Sequence, residues 1–231
     1  MEQNEISFDS SIDSSLHRND KRIKEMNKAL KIKVCGMREA ENIQQLTQLP
    51  IDYMGFIFYE KSARFVSQNP NTNLPARIKK VGVFVNADKE KIVAKINSFD
   101  LQVVQLHGNE TAAFCQEIKD LGIETFKAFG IDEAFDWTSL SEYVGKVDYF
   151  LFDTKSKQYG GTGQTFDWDK LKEYPYDTKY WLSGGISLEN IREAANFDDN
   201  RLYGLDLNSK FEIEPGLKNI DSLTQAFSII K

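Results

Sequence analysis

Cysteine is scarce. The 231-residue chain has two, Cys35 and Cys115, too few for a disulfide scaffold. No stretch approaches the roughly 18 consecutive apolar residues of a membrane helix. The polar start is not followed by the apolar run of a secretory signal. Basic residues are outnumbered, 29 Lys+Arg against 35 Asp+Glu, a net charge of −6. Nucleic acid, which asks for basic patches, is therefore not the expected partner. Only two histidines occur, and no Cys/His/Asp cluster has metal-ligand spacing, so no metal is expected. What is present is 41% apolar and 12% aromatic residues, too much for a wholly disordered chain. These observations predict a soluble, cytoplasmic, globular protein that engages neither membrane nor nucleic acid. The charge and helix patterns fit a monomer or a homodimer.

Residues 1–29 stand apart. They include SSIDSS (10–15) and the charge-rich RNDKRIKEMNK (18–28). A segment this polar buries too little surface to order itself, so it reads as a solvated extension or a frayed helix. The ordered domain, 30–231, alternates strand-like and helix-like segments. Strands are expected at 31–35, 53–58, 80–85, 101–107, 124–129, 149–153, 180–183 and 202–207. Helical stripes place Ile92, Ile96 and Phe99 together, then Phe114, Ile118 and Leu121, with Gly122 as a stop. A further helix is expected behind a Ser187 cap, and a last one carries Ile220, Leu223, Phe227 and Ile230. Between the second and third strands, Pro70 and Pro75 leave room for a turn or two of helix.

Strands alternating with helices imply βαβ units and a parallel sheet. Eight strands in about 200 residues, about 25 per unit, suit a compact single-domain α/β fold, the (β/α)8 TIM barrel. A doubly wound sheet would need fewer strands, and no GxGxxG follows the first one. Chemistry in such barrels sits at the C-terminal strand ends.

Those ends carry candidates. The first ends KVCGM, aiming Cys35 at the mouth with Gly36 as a tight turn; a thiol there serves as a base if its pKa falls toward neutrality. Cys115, flanked by Phe114 on a helical stripe, reads as a small buried hydrophobe. After strand two, Arg64 offers a planar fork for a carboxylate or phosphate, whereas Lys61 reads as a solvated charge. His107 ends strand four and reads as structural. Asp153 ends strand six; a carboxyl set against an apolar wall is pushed toward neutrality and can act as an acid. Gly160, Gly161 and Gly163 follow it as a mobile or anion-embracing loop. Gly184 and Gly185 after strand seven, with Asn208 and Ser209 after strand eight, lie where these barrels bind phosphate through free backbone N–H groups. Asp206 precedes the last residue of strand eight and is expected to face the pocket.

Together these stretches resemble the phosphoribosylanthranilate isomerase family of tryptophan biosynthesis. The resemblance rests on KVCGM (33–37), GFIFYEKSARFV (55–66), VGVFVN (81–86), VVQLHGNE (103–110), FDTKSKQYGGTGQTFDW (152–168), LSGGI (182–186) and PGLK (215–218), and covers 31–231. It implies a cofactor-free Amadori rearrangement of N-(5-phosphoribosyl)anthranilate to 1-(2-carboxyphenylamino)-1-deoxy-D-ribulose 5-phosphate. It implies Cys35 as general base, Asp153 as general acid and Arg64 as the holder of the anthranilate carboxylate. Backbone at Gly184, Gly185 and Ser209 would take the phosphate. One departure is Lys210, where the family often has a small residue, frequently glycine; a lysine adopts φ > 0 less cheaply. The alternatives are another sugar-phosphate barrel enzyme, or a barrel that binds a phosphorylated ligand without turning it over. The first would need a metal cluster or paired Asp bases, or a lysine at the end of strand one, where this chain has Cys35. Retention of Cys35, Arg64 and Asp153 together speaks against the second.

Overall fold

The computed structural model describes residues 30–70, 73–154 and 167–230. The extension 1–29 and the glycines 160, 161 and 163 lie outside them. Eight parallel strands close into a barrel in sequence order: β1 (Lys31–Val34), β2 (Tyr53–Ile57), β3 (Lys79–Phe84), β4 (Val103–Leu106), β5 (Glu124–Ile131), β6 (Tyr149–Thr154), β7 (Tyr180–Leu182) and β8 (Leu202–Leu207). β1 closes the ring on β8, with Lys33 opposite Asp206 and Val34 opposite Leu207.

The period-2 alternation of each strand separates two cores. On β1, Ile32 and Val34 face the outer layer, while Cys35 belongs to an inner cluster with Tyr53, Val81, Val83, Val103, Phe126, Ala128, Leu151 and Trp181. The inner positions taper upward. β5 presents Glu124, Phe126, Ala128 and Gly130 in turn, so side chains are large near the strand starts and small at the mouth. The rings at the base interlock: Tyr53 meets Trp181 edge-on at 4.9 Å, Phe126 lies 5.5 Å from Trp181, and Tyr149 lies 4.2 Å from Tyr203. Burying each such ring stabilises by about 2–3 kcal/mol.

Outside run α1 (Ala40–Leu46), α2 (Lys89–Phe99), α3 (Ala112–Lys119), α4 (Ile191–Ala195) and α5 (Ile220–Ile230). Asp88 caps α2 by accepting from the Lys91 amide at 2.9 Å, and Thr111 caps α3 by accepting from Phe114 at 3.2 Å. Two expectations shift. α3 ends at Lys119, so its buried stripe is Ala112, Cys115 and Ile118, and Leu121 is left exposed beyond it. Gly122 terminates this segment with φ +77, and Cys115 is fully buried. Ser187 caps the turn that leads into α4, its Oγ accepting from the Glu189 amide at 3.3 Å while Asn190 Oδ1 accepts from the Ser187 amide at 2.8 Å, but the regular helix starts only at Ile191. The connection after β5 carries a 3-10 turn, Trp137–Tyr143, and another, Trp168–Glu173, precedes β7. β8 leads into a 3-10 turn, Ser209–Phe211, and then a small hairpin of β9 (Glu212–Glu214) and β10 (Leu217–Lys218).

Candidate active site

Cys35 sits immediately after β1, pinned by its amide donating to the Leu207 carbonyl of β8 at 2.9 Å. Its side chain is buried at the top of the inner cluster. Gly55 on β2 makes the room, since a Cβ there would lie 2.6 Å from the Cys35 sulfur. One pleat below, Lys33 is fully buried and donates to Asp206 Oδ2 at 2.6 Å. The other Asp206 oxygen, Oδ1, is buried with no hydrogen-bond partner among the described residues. Burial pushes the Cys35 thiol above its ordinary value; Lys33 and Lys218 pull it down without overcoming burial, and Asp206 adds to the rise. The drop toward neutrality expected from the sequence is therefore absent here, because desolvation of a thiolate outweighs its cations.

Asp153 lies three strands away in the ring, on β6, in register with Gly130. Its Oδ2 is 3.5 Å from His107 Nε2, and its side chain remains about 30% exposed. His107 Nδ1 is 2.9 Å from Gln105 Nε2, which fixes the imidazole over the mouth. Gly184 comes close from β7: a Cβ there would fall 2.6 Å from Asp153 Oδ1 and 2.4 Å from the Thr154 amide nitrogen. Gly184 and Gly185 both adopt left-handed backbone, φ +83 and +68. This turn lies beside the β8 loop of Asn208 and Ser209. α4, only five residues long, begins six positions past Gly185. Lys210 is exposed in its 3-10 turn. Among the described residues only Asn86 and Asp100 are non-glycine positions with positive φ, so lysine at 210 meets no left-handed strain.

Arg64 reaches the same mouth from the loop after β2, but it has a partner the sequence did not reveal. Its Nε and Nη2 form a fork on Glu212 of β9, with contacts of 3.0, 3.0 and 2.6 Å. Its Nη1 donates to no described residue. Glu212 also accepts from Lys218 at 2.6 Å, and Lys218 donates to Asn208 Oδ1 at 2.7 Å. Burial opposes the charge on Glu212, yet Arg64 and Lys218 hold its carboxyl below the usual carboxylate range. Lys218, which shares that carboxylate with Arg64, is pulled down by burial to about 8. Gly36 sits between these groups: a Cβ on it would lie 2.8 Å from Arg64 Cδ and 3.0 Å from Asn208 Oδ1, and its φ is +82. Lys61 is exposed on the same loop.

The structure thus brings Cys35, Asp153, Asp206, Arg64, Gly184, Gly185, Asn208 and Ser209 to one end of the barrel. Sequence reasoning missed Lys33, Glu212 and Lys218, and read His107 as structural only. The signal for Lys33 was there, since it stands two residues before Cys35 on a strand and shares its face. Glu212 and Lys218 carry no such signal, because a hairpin outside the barrel rhythm delivers them. Among the described residues no three His, Cys, Asp or Glu side chains are grouped to hold a metal ion. No described helix is long and apolar enough to cross a membrane.

A family model described as N-(5'phosphoribosyl)anthranilate (PRA) isomerase matches residues 32–228. The N-(5'-phosphoribosyl)anthranilate isomerase of Parabacteroides distasonis is 48% identical over 197 residues, covering 83% of this chain and 89% of that protein. The crystal structure of phosphoribosyl anthranilate isomerase from Thermotoga maritima superposes with a TM-score of 0.76 at 33% identity, over 87% of this chain and 98% of that one. A structure of the isomerase in complex with reduced 1-(o-carboxyphenylamino)-1-deoxyribulose 5-phosphate superposes with a TM-score of 0.73 at 31% identity, over the same shares. The chain belongs to the N-(5'-phosphoribosyl)anthranilate isomerase family.

Proposed function

We propose that this chain performs the tryptophan-biosynthetic isomerisation of N-(5'-phosphoribosyl)anthranilate with Cys35 as base and Asp153 as acid. The observation that carries the assignment is their placement: a buried thiol and a partly exposed carboxyl at the mouth of one barrel, with the left-handed Gly184 backbone beside the carboxyl. The chemistry needs two proton transfers. Asp153, as a carboxylic acid, gives its proton to the ring oxygen while the C1′–O bond breaks and the anthranilate nitrogen pair forms C1′=N. The Cys35 thiolate then takes the C2′ proton; the released pair forms C1′=C2′ and returns the other pair to nitrogen. The enolamine tautomerises to the ketone by moving its hydroxyl proton to C1′. Each positioned acid or base contributes about 10²–10⁴-fold.

Binding groups follow the same geometry. The Arg64 edge not engaged by Glu212 takes the anthranilate carboxylate. Asp206 Oδ1, a buried acceptor without a partner, takes a substrate hydroxyl or the amine N–H. Backbone at Gly184, Gly185, Asn208 and Ser209 takes the phosphate. The test uses substrate generated in place from anthranilate and a phosphoribosyl donor, with its fluorescence followed on adding protein. Rapid loss with wild type is expected. No loss with wild type would return the chain to a phosphate-binding role without turnover.

A further inference from the structure

Lys33 is the residue the reaction scheme leaves unused and the fold does not explain. It projects into the barrel interior, its side chain has no exposure, and its ammonium donates to Asp206 Oδ2 at 2.6 Å. Burying such a pair is often no better for stability than a well-packed apolar pair of the same volume. Asp206 is also an incomplete answer to the lysine, since one of its oxygens is turned away with no partner. Lys33 and Cys35 are alternate residues at the end of one strand, so both point into the barrel interior, with the ammonium one pleat below the sulfur and its charge favouring the thiolate. Gly55 holds the sulfur in this position by leaving space only for it.

We propose that Lys33 is a positioning residue whose buried ammonium is the counter-charge of the Cys35 thiolate, held under the sulfur by Asp206. This rests on the reading of Cys35 as base. A thiolate in a desolvated barrel mouth needs a cation within a few ångströms, and an opposite charge at about 4–6 Å moves a pKa by about 1–3 units. The ammonium itself survives burial: desolvation opposes its charge, but Asp206 and Cys35 together outweigh that and hold Lys33 above the ordinary lysine value. The other charged groups around the sulfur are accounted for. Asp206 on β8 disfavours the thiolate and Lys218 on β10 favours it, while Arg64 and Glu212 pair with each other behind Gly36. Asp153 and His107 act on Asp206 from across the mouth. One carboxylate and one thiol therefore compete for the Lys33 charge, and this competition gives the two neighbours opposite effects on Cys35.

The test is the pH dependence of Cys35 alkylation by iodoacetamide in the full chain, read on the Cys35 peptide by mass spectrometry. Lys33→Met is expected to raise the midpoint by about one pH unit or more, and Asp206→Asn to lower it. In the isomerase assay, Lys33→Met is expected to cut kcat about tenfold near neutral pH, with KM little changed and the loss recovering as pH rises. Midpoints that stay in place, or move the same way in both variants, overturn the inference. If Lys33→Met does not fold, Lys33→Gln takes its place: a raised midpoint supports the assignment and an unmoved one refutes it. A Cys35→Ala variant that still turns over removes the base reading itself. A dead Cys35→Ala with unmoved midpoints removes only the role of Lys33.

Discussion

The two halves of the barrel interior use their side chains differently. The half near the strand starts is filled by rings, Tyr53, Phe126, Tyr149, Trp181 and Tyr203, and its charges sit at the rim, where Lys79 pairs with Glu124 and Tyr53 donates to Glu124 at 3.0 Å. The half near the mouth has small apolar residues and glycine where those rings would continue, and into that space it gathers Lys33, Cys35, Asp206, Arg64, Glu212 and Lys218. The lower half returns free energy through area buried. The upper half contains buried charges whose desolvation takes back much of their mutual attraction. The difference teaches a division of labour: the lower rings fill the base of the barrel, and the mouth concentrates buried charges whose desolvation offsets their attraction.

The comparison can be broken at either end. The largest expected effect is at the mouth. Asp153→Asn keeps the shape of the side chain and removes its proton-donating ability, so kcat should fall by about 10²–10⁴-fold with the urea midpoint unchanged. Next comes the base of the barrel. Phe126→Ala removes a fully buried ring that contacts Tyr53, Tyr149 and Trp181, and should lower the unfolding free energy by about 3–5 kcal/mol in urea denaturation, while the folded fraction keeps its turnover. Smaller is Arg64→Lys. It gives up the fork held by Glu212, so KM should rise about tenfold, the equivalent of about 1.4 kcal/mol, and kcat should change less.

The smallest effect sharpens the electrostatic side. Lys218 releases its proton near pH 8 in the folded protein and near its ordinary value, about 10.4, in the unfolded chain. Between those values the unfolded state binds more protons, so this group makes stability rise with pH. Relative to Lys218→Met, wild type should gain about 1 kcal/mol of unfolding free energy per pH unit from about pH 8 to 10, measured by urea melts at each pH. A flat difference would mean that Lys218 stays charged across that window.

Much of this was legible in the chain. The apolar runs gave all eight strands within a few residues, because a parallel barrel strand is buried on both faces and reads as a continuous run. Strand ends then pointed to Cys35, Arg64, Asp153, Asp206 and the glycines after β7. The connections were less legible. Leu121 shared the helical spacing of Phe114 and Ile118, yet the helix stops at Lys119 and leaves it in solvent. Ser187 does cap, with Asn190 answering its amide, but the regular helix begins three residues later than the cap alone suggests. The pairing of Arg64 with Glu212 was hidden because 148 residues separate them and only the β9–β10 hairpin brings them together. The state of the Cys35 thiol was hidden as well, since it depends on burial and on the balance of three buried charges.

The most direct test of this division reads stability and turnover on a single preparation of Cys35→Ala. The substituted side chain is small, lies at the top of the inner cluster and takes no part in the ring packing below it. The account predicts a urea midpoint close to wild type and a loss of turnover of at least about 100-fold. A Cys35→Ala protein that turns over substrate at a wild-type rate, or one that loses turnover only in proportion to the fraction unfolded, would contradict it.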